Sequence, residues 1–280
     1  MDEGADGVEV IVVDGGSTDD TCSIARSFPG VRVIEAPGSS IWEAVNVGIG
    51  HARGTLIGHL NSDDRLCPGA LGEIRAAEAQ APAAAIIRGR AHFVAVDDKG
   101  GFLPLPAFDA AVAARLDLEA LTVGPTANNA CFVRADTYLR LGGYDESLKI
   151  AADREWLLRA VLADTCVHQI NTPLYEYLVH ESSMTVAPRL PDRKVYVAYI
   201  HEHLAIASRY LPGVTGRNRR LLRAWHAQET LRLLSCGWST PDFAAQLARA
   251  FEISPAWPLW SIGPLVSFIV RRHRRWRDFG

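Results

Sequence analysis

Strand and helix patterns alternate four times within the first eighty residues, and this alternation constrains the fold more than any other feature. Val8–Val13 is an apolar run interrupted only by Glu9, as expected for a strand buried on both faces. Thr55–Leu60 is another strand pattern, and a helix pattern that begins at Pro68 follows it. Such alternation predicts an α/β fold with a mainly parallel sheet flanked by helices.

The second half of the chain changes from this pattern to an all-helical one. Strand patterns at 85–96 and 130–134 extend the α/β part, whereas the apolar stripes over 190–250 have helical spacing. We therefore predict an α/β catalytic domain over residues 1–187 and a helical extension over 188–280.

Composition and charge exclude several classes of protein. Charged residues make up 22% of the chain and the net charge is -3, which gives no electrostatic footprint for nucleic acid. The five cysteines form no CxxC pair, so we expect reduced thiols and no zinc site. The first ten residues are acidic and lack the apolar run of a signal peptide. We expect a cytoplasmic protein that binds small molecules.

Acidic loops follow two of the predicted strands. Asp14 opens one loop, and Asn61-Ser-Asp63-Asp64 forms the other. Ligands bind at the carboxyl ends of strands in open α/β sheets, so the two loops could share one crevice. Asp14 could accept hydrogen bonds from a nucleobase or a ribose, and the paired aspartates suit a divalent cation on a diphosphate. Taken alone, the Asp14 loop is equally explained as a turn that caps the next helix, and the paired aspartates are more often such a turn.

A third carboxylate stands at the start of a predicted helix over 152–162. Asp153 follows the stretch Gly-Gly-Tyr-Asp-Glu-Ser-Leu-Lys-Ile-Ala-Ala. The helix dipole favours its ionised form there, which would suit a general base acting on an acceptor hydroxyl. The alternative is that Asp153 is only a helix cap and that Glu155 is a surface residue.

The order and spacing of these motifs resemble the family 2 glycosyltransferases, which have the two-layered nucleotide-sugar-binding fold called GT-A. The resemblance extends over residues 8–185. It rests on Val-Val-Asp-Gly-Gly-Ser-Thr-Asp, Ile-Trp-Glu-Ala-Val-Asn-Val-Gly-Ile, Leu-Asn-Ser-Asp-Asp and Gly-Gly-Tyr-Asp-Glu. It is greatest with bacterial members that build polysaccharides. It implies a hexosyltransferase-like enzyme that moves a sugar from a nucleotide-diphosphate donor to an acceptor hydroxyl, in cell-surface polysaccharide or glycolipid synthesis.

The resemblance also implies a role for each matching residue. The residues implied in nucleotide-sugar binding are Asp14, Ser17, Asn46, Asn61 and Asp63. Asp63 and Asp64 would hold Mg²⁺ or Mn²⁺ on the diphosphate. Asp153 would be the catalytic base of a single displacement with inversion, in which the metal stabilises the leaving diphosphate.

The chain departs from the family pattern at its beginning. The family usually starts with a strand that precedes the one seen here at Val8, so we expect the first strand to be lacking and its neighbours to have an open edge. This leaves a second hypothesis, a non-catalytic nucleotide-sugar-binding remnant inactivated by that loss. A nucleotidyltransferase is a third, but the chain has no glycine-rich, basic triphosphate loop near its start.

Three further features each keep two interpretations. His180 could contact the donor phosphates or add a metal ligand, or it could be a solvent-exposed loop residue. Asn128 and Asn129 could line the acceptor side or form a turn. In the segment 257–277, the tryptophan-containing apolar part over 257–270 is too short to span a bilayer as a helix, and an arginine-rich part follows it. The segment is either an interfacial anchor at the inner face of the plasma membrane, useful for a lipid-linked acceptor, or a packed helix with a solvated tail.

Overall fold

The computed structural model contains two compact units. The first comprises Met1–Leu116 with Pro125–His180, and the second comprises Asp117–Gly124 with Glu181–Gly280. The structure describes residues 7–96, 102–105, 116–122, 129–180 and 193–235 of the chain. The predictions for Asn128 and for the segment 257–277 lie outside these ranges, and the predicted division at 187/188 stays a prediction.

The first unit begins with two parallel strands that form a sheet of their own. β1 (Val10–Asp14) pairs in register with β2 (Val31–Glu35), and helix α1 (Thr21–Ser27) connects them. The prediction that the first strand is buried on both faces is wrong, since Val10 is 42% exposed. The physical reason is that, within the described residues, β1 has a strand partner on one edge only. The expectation that a strand before β1 is lacking stays a prediction.

A six-stranded mixed sheet forms the centre of this unit. Its members are β3 (Leu56–Gly58), β4 (Arg65–Leu66), β5 (Ile86–Val96), β6 (Phe102–Pro104), β7 (Cys131–Arg134) and β8 (Val167–Leu178). The strand order is β3-β7-β5-β8-β4, and β6 pairs with β5. Only the pairing of β5 with β8 is parallel among the described pairs of this sheet.

The predicted α/β class is confirmed, but the sheet is mixed rather than mainly parallel. Helix and strand periodicities show which segments are strands and do not show their direction. Antiparallel neighbours arise here from returns such as the one that brings β6 back onto the end of β5. Parallel pairing is confined to β1 with β2 and to β5 with β8 within the described part of the unit.

Four more helices belong to the first unit. They are α2 (Ile41–His51), α3 (Ala70–Gln80), α5 (Ala135–Leu141) and α6 (Ala152–Leu162). Helix α2 begins with a capping box in which Ser40 and Glu43 satisfy each other's backbone N–H groups. Helix α6 has the bounds that its apolar pattern predicts, and its Trp156 and Leu158 are completely buried.

The second unit is helical over its described residues. It contains α4 (Leu118–Thr122), α7 (Arg193–Tyr210), a 3₁₀ turn at Leu211–Gly213 and α8 (Gly216–Ser235). Helix α8 packs against both α7 and α4, and Ile200, Leu204 and Leu233 form its apolar core. Among the described helices, none has the length and apolar character that crossing a bilayer requires.

Candidate active site

Asp14 ends β1 and organises the loop that follows. Its Oδ2 accepts hydrogen bonds from the N–H groups of Gly16 and Ser17, both at 3.0 Å. Its Oδ1 accepts one from the Ser17 hydroxyl at 2.5 Å, and this bond contributes most to a pKa of Asp14 below its usual value. Gly16 has φ +114°, which a side chain would strain. Asp14 is therefore an ionised group that uses much of its acceptor capacity within its own loop.

The second acidic loop follows β3 and holds one of its two aspartates tightly. Asp64 Oδ2 accepts hydrogen bonds from Asn61 Nδ2 at 2.7 Å and from the Tyr175 hydroxyl at 2.6 Å. Its Oδ1 accepts one from the Leu178 N–H at 2.8 Å. Burial raises the pKa of Asp64, and these three bonds partly oppose the rise. Protein donors thus occupy both oxygens of Asp64.

The neighbouring carboxylate, Asp63, has a different environment. Its side chain is 39% exposed, and its Oδ2 lies 2.9 Å from Nε2 of His180, which is 36% exposed. The two residues are 117 positions apart, so the sequence could not show that they meet. Within the described ranges, no group of three or more His, Cys, Asp or Glu side chains has a metal-binding arrangement.

Asp153 is the second residue of α6 and is half-buried. Its Oδ1 accepts a hydrogen bond from the N–H of Arg154 at 2.7 Å, as expected for a carboxylate in the first turn of a helix. Burial raises the pKa of both Cys131 and Tyr144, and the negative charge of Asp153 adds to each rise. The carboxylate therefore lies within electrostatic range of the start of β7.

The start of β7 connects Asp153 to the second acidic loop. The Asn129 side chain is close enough to Tyr175 to oppose the rise that burial causes in the pKa of this phenol, and the Tyr175 hydroxyl donates to Asp64. Cys131, two residues further along, is the group whose pKa Asp153 influences. Asp153, and Asp64 through Tyr175, thus both lie near residues at the start of β7. The contact of Asn129 with Tyr175 also shows that Asn129 is part of the hydrogen-bond network around the acidic loop.

Trp42 in the first turn of α2 joins the end of β3 to the segment that leads into α6. Its ring stacks on Tyr144 with centroids 5.1 Å apart, and it meets His59 edge-on at 6.2 Å. Its Nε1–H donates to the Lys149 carbonyl at 3.2 Å. Burial lowers the pKa of His59 to about 4, so this ring is neutral at physiological pH.

Backbone hydrogen bonds fix the Asp14 loop to the start of the same helix. The N–H of Ala36 donates to the Asp14 carbonyl and the N–H of Gly38 donates to the Gly15 carbonyl, both at 2.8 Å. Residues 36–40 then lead directly into α2. The segment that begins α2 therefore contacts the Asp14 loop, the end of β3 before the second acidic loop, and the segment that leads into α6.

Asn46 connects α2 to the loop before α6. Its Oδ1 accepts a hydrogen bond from the Tyr144 N–H at 2.8 Å. Its Nδ2 donates to the Tyr144 carbonyl at 2.9 Å and to Glu146 Oε1 at 2.8 Å. A Cβ at position 143 would lie only 2.4 Å from Asn46 Oδ1, which explains glycine there. The predicted role of Asn46 in nucleotide binding stays a prediction, and its observed bonds are all within the protein.

Helix α6 also holds the Gly142–Gly143 turn. Arg159 donates to the Gly143 carbonyl at 2.8 Å and pairs with Glu155 at 2.9 Å. Trp156 Nε1–H donates to the Gly142 carbonyl at 2.8 Å. Glu155 is 2% exposed, so the alternative interpretation of Glu155 as a surface residue is wrong. The sequence lacked a signal for this pairing except the i, i+4 spacing of the two charges.

A groove of about 420 Å³ lies beside these loops, between α2, β3 and α5. Its lining includes Ile49, Ile57 and Tyr138, and Leu139 stands at its edge with 88% of its surface exposed. None of the three predicted acidic groups lines this groove. The groove is instead bordered by Asn46, Gly143 and Tyr144, which connect α2 to the loop before α6.

Comparison with known proteins agrees with this fold and with the order of its motifs. The Glycosyl transferase family 2 model matches residues 3–104. Two Mycobacterium tuberculosis proteins, the uncharacterized glycosyltransferases Rv1514c and MT1564, are each 32% identical to the chain over 160 residues. That match covers 55% of this chain and 58% of each relative.

Solved structures with similar folds are also glycosyltransferases. Residues 1–349 of S. aureus TarS superimpose with a TM-score of 0.60 at 16% identity, covering 92% of this chain and 73% of that one. The mannosyltransferase PcManGT from Pyrobaculum calidifontis, solved with GDP-Man and Mn²⁺, gives 0.57 at 16% identity, covering 97% and 74%. At these identities the likeness shows the fold. The fold of this chain is therefore the GT-A fold, and the match of residues 3–104 to the family 2 model agrees with the resemblance seen in the sequence.

Proposed function

We propose that this protein transfers a sugar from a nucleotide-diphosphate donor to an acceptor hydroxyl by a metal-dependent displacement that inverts the anomeric centre. The observation that carries the proposal is the division of roles in the loop after β3. Asp64 is held by protein donors, whereas Asp63 lies exposed beside His180. The loop thus presents one carboxylate and one imidazole to solvent at the strand end where donors bind in this class of fold.

Asp63 and His180 are the groups that fit a divalent cation. A carboxylate oxygen and an imidazole nitrogen suit Mn²⁺, and Mg²⁺ prefers oxygen ligands. Asp64, predicted as a second ligand, would orient the loop from behind through its bonds to Tyr175 and Leu178. When bound, the ion would neutralise charge on the departing diphosphate. PcManGT was solved with GDP-Man and Mn²⁺, which supports a role for such an ion in this fold.

The donor would contact the loops after β1 and β3. Asp14 and Ser17 form one side, where Asp14 fixes the turn that would face the nucleoside. Asn61 and Asp63 form the other. Asn46 supports the site through Tyr144 and Glu146. TarS has been solved with UDP and with UDP-GlcNAc, and both complexes share this fold with TM-scores of 0.52 and 0.54.

Asp153 would be the general base. Its place in the first turn of α6 favours the ionised form, because the helix amino end is partly positive. The carboxylate would accept the proton of the acceptor hydroxyl while the acceptor oxygen attacks the anomeric carbon from the face opposite the diphosphate. The Trp42, Asn46 and Arg159 contacts fix the segment before α6, and such positioning supplies much of the rate.

The acceptor would be a saccharide or a lipid-linked sugar used in cell-surface polysaccharide or glycolipid synthesis. This part of the proposal rests on the bacterial character of the sequence resemblance. A lipid-linked acceptor would place the protein at the inner face of the plasma membrane. The segment 257–277 would then be its interfacial contact.

The catalytic role is tested with Asp153→Asn, which keeps the shape of the side chain and removes its basicity. We expect release of nucleoside diphosphate from the matching nucleotide-sugar to fall at least about 100-fold while donor binding persists. Asp136→Asn is the matched control, since Asp136 is also in the first turn of a helix but is exposed. Turnover of Asp153→Asn at the rate of the control would refute the assignment. Binding without turnover in the unmodified protein would instead support the remnant hypothesis.

A further inference from the structure

The amino-terminal half of α8 in the second unit carries an unusual concentration of positive charge. Four arginines lie within its first eight residues: Arg217, Arg219, Arg220 and Arg223. The first three are exposed and the fourth is half-buried. The first turn of the helix contains no acidic residue.

These arginines lie on one side of the helix. Residues advance by about 100° around an α-helix, so the four side chains cover an arc of about 160° in the order 219, 223, 220, 217. Leu222 and Trp225, which are completely buried, lie on the opposite side. The amino-terminal half of the helix therefore packs through one side and presents the four arginines on the other. We call these four residues the arginine face.

Helix stability does not explain this arrangement. The amino end of a helix is partly positive, so cations there are unfavourable. Arginines spaced three or four residues apart also repel each other, as in the pairs 217/220, 220/223 and 219/223. Arg217 forms an ion pair with Glu119 of α4, but both side chains are more than half exposed, and such pairs stabilise little. Residues that oppose local stability in this way are typical of functional surfaces.

Further positive charge lies at the same end of the helical pair. Helix α7 ends at Tyr210 and α8 begins at Gly216, so the short connection brings the exposed Arg209 close to the arginine face. The whole chain has a net charge of -3, so this concentration is local. An extended surface of like charge fits an extended anionic partner rather than a single small ion.

We propose that the arginine face of α8 binds the surface of an anionic phospholipid membrane. Guanidinium groups form bidentate hydrogen bonds with phosphate, which matches phospholipid headgroups. A flat membrane can contact the three exposed arginines at once, because they lie within about one turn on one side of the helix. This surface differs from the segment 257–277, and its membrane contact is independent of sugar transfer.

Vesicle binding by the full chain tests the proposal. The probe is sedimentation with vesicles that contain phosphatidylglycerol, compared with vesicles of phosphatidylcholine alone. We expect binding to the first kind only, weakening as salt is raised. Each basic residue near an anionic surface strengthens binding about fivefold, so Arg219→Gln with Arg220→Gln should lower the partition coefficient about 25-fold. Asp153→Asn should bind vesicles as the unmodified chain does.

Two further variants separate charge from fold. Arg75→Gln with Arg140→Gln removes two exposed charges from the first unit and should leave vesicle binding unchanged. Arg219→Lys with Arg220→Lys keeps the charge and should retain binding within about threefold. The proposal is overturned if the chain does not prefer phosphatidylglycerol or binds only a soluble polyanion such as heparin. It is also overturned if the glutamine variant binds like the unmodified chain, which would leave another segment as the anchor.

Discussion

At the scale of single residues, two adjacent aspartates have become chemically different. Asp64 accepts three hydrogen bonds from the protein, whereas Asp63 faces His180 at the surface. The sequence predicted an acidic pair at a strand end and could not predict this difference. The distinction depends on Tyr175 and His180, which are more than a hundred positions away in the chain.

The hydroxyl of Tyr175 is expected to be the main support of the acidic loop. Tyr175→Phe leaves Asp64 with one hydrogen bond fewer and the Asn61 N–H without its acceptor, and both groups are partly buried. We expect the free energy of unfolding to fall by about 1–3 kcal/mol, measured by urea denaturation. Tyr144→Phe is the control, because its hydroxyl makes one long contact of 3.4 Å with Tyr138. Equal losses for the two variants would contradict the account.

The loop after β1 is expected to lose stability in acid because of Asp14. The pKa of this carboxyl is lowered from an ordinary value of 3.8, chiefly by the Ser17 hydroxyl. A lowered pKa means that the ionised form is the one that the fold stabilises. The stabilisation of the fold by Asp14 is fully present above pH 3.8, its ordinary pKa, and is lost as the pH falls through the lower pKa of the folded protein.

Asp14→Asn should therefore flatten the acid limb of the stability curve. The measurement is the urea midpoint of both proteins between neutral pH and about pH 3, over the range in which carboxyl groups titrate. Asp136→Asn, an exposed aspartate in the same unit, serves as the comparison. If Asp14→Asn and the unmodified chain lose stability in parallel as pH falls, the carboxylate does not have the role that its hydrogen bonds indicate.

At the scale of elements, the bounds of several helices and strands followed their sequence patterns, whereas the burial of β1 and the direction of the strands did not. The helix 152–162 has the predicted bounds, because its apolar residues repeat with a local period. β1 was predicted as a fully buried strand, and its exposure depends on which neighbours it has. Strand direction and strand partners are non-local properties, so the mixed character of the sheet could not be predicted from periodicity.

The connection between α2 and the loop before α6 gives a prediction at this scale. Asn46→Asp replaces the two bonds that Nδ2 donates with repulsion toward the Tyr144 carbonyl and the Glu146 carboxylate. We expect the free energy of unfolding to fall by about 2–3 kcal/mol, measured by denaturation in the absence of any ligand. Asn171→Asp makes the same chemical change at an exposed position of β8 and should have little effect. Unchanged stability of Asn46→Asp would mean that Asn46 acts only on a ligand.

At the scale of the whole molecule, four motifs in order indicated the family whose model matches residues 3–104. The sequence also placed the acidic groups at strand ends and at one helix start. The structure adds the contacts that join them: Trp42 reaches the end of β3 and the segment before α6, and the start of β7 lies near both Asp64 and Asp153. These contacts depend on aromatic packing between distant segments, for which the sequence has no local signal.

The central claim is that the exposed Asp63 and His180 hold a divalent cation that is needed for donor binding. The most direct test is calorimetric titration of UDP-GlcNAc and GDP-mannose into the protein with and without Mn²⁺. We expect one donor to bind at least about tenfold more tightly with the ion, which corresponds to about 1.4 kcal/mol. This gain should disappear in Asp63→Asn and persist in Asp136→Asn. An Asp63→Asn protein that keeps the full Mn²⁺-dependent gain would contradict the account.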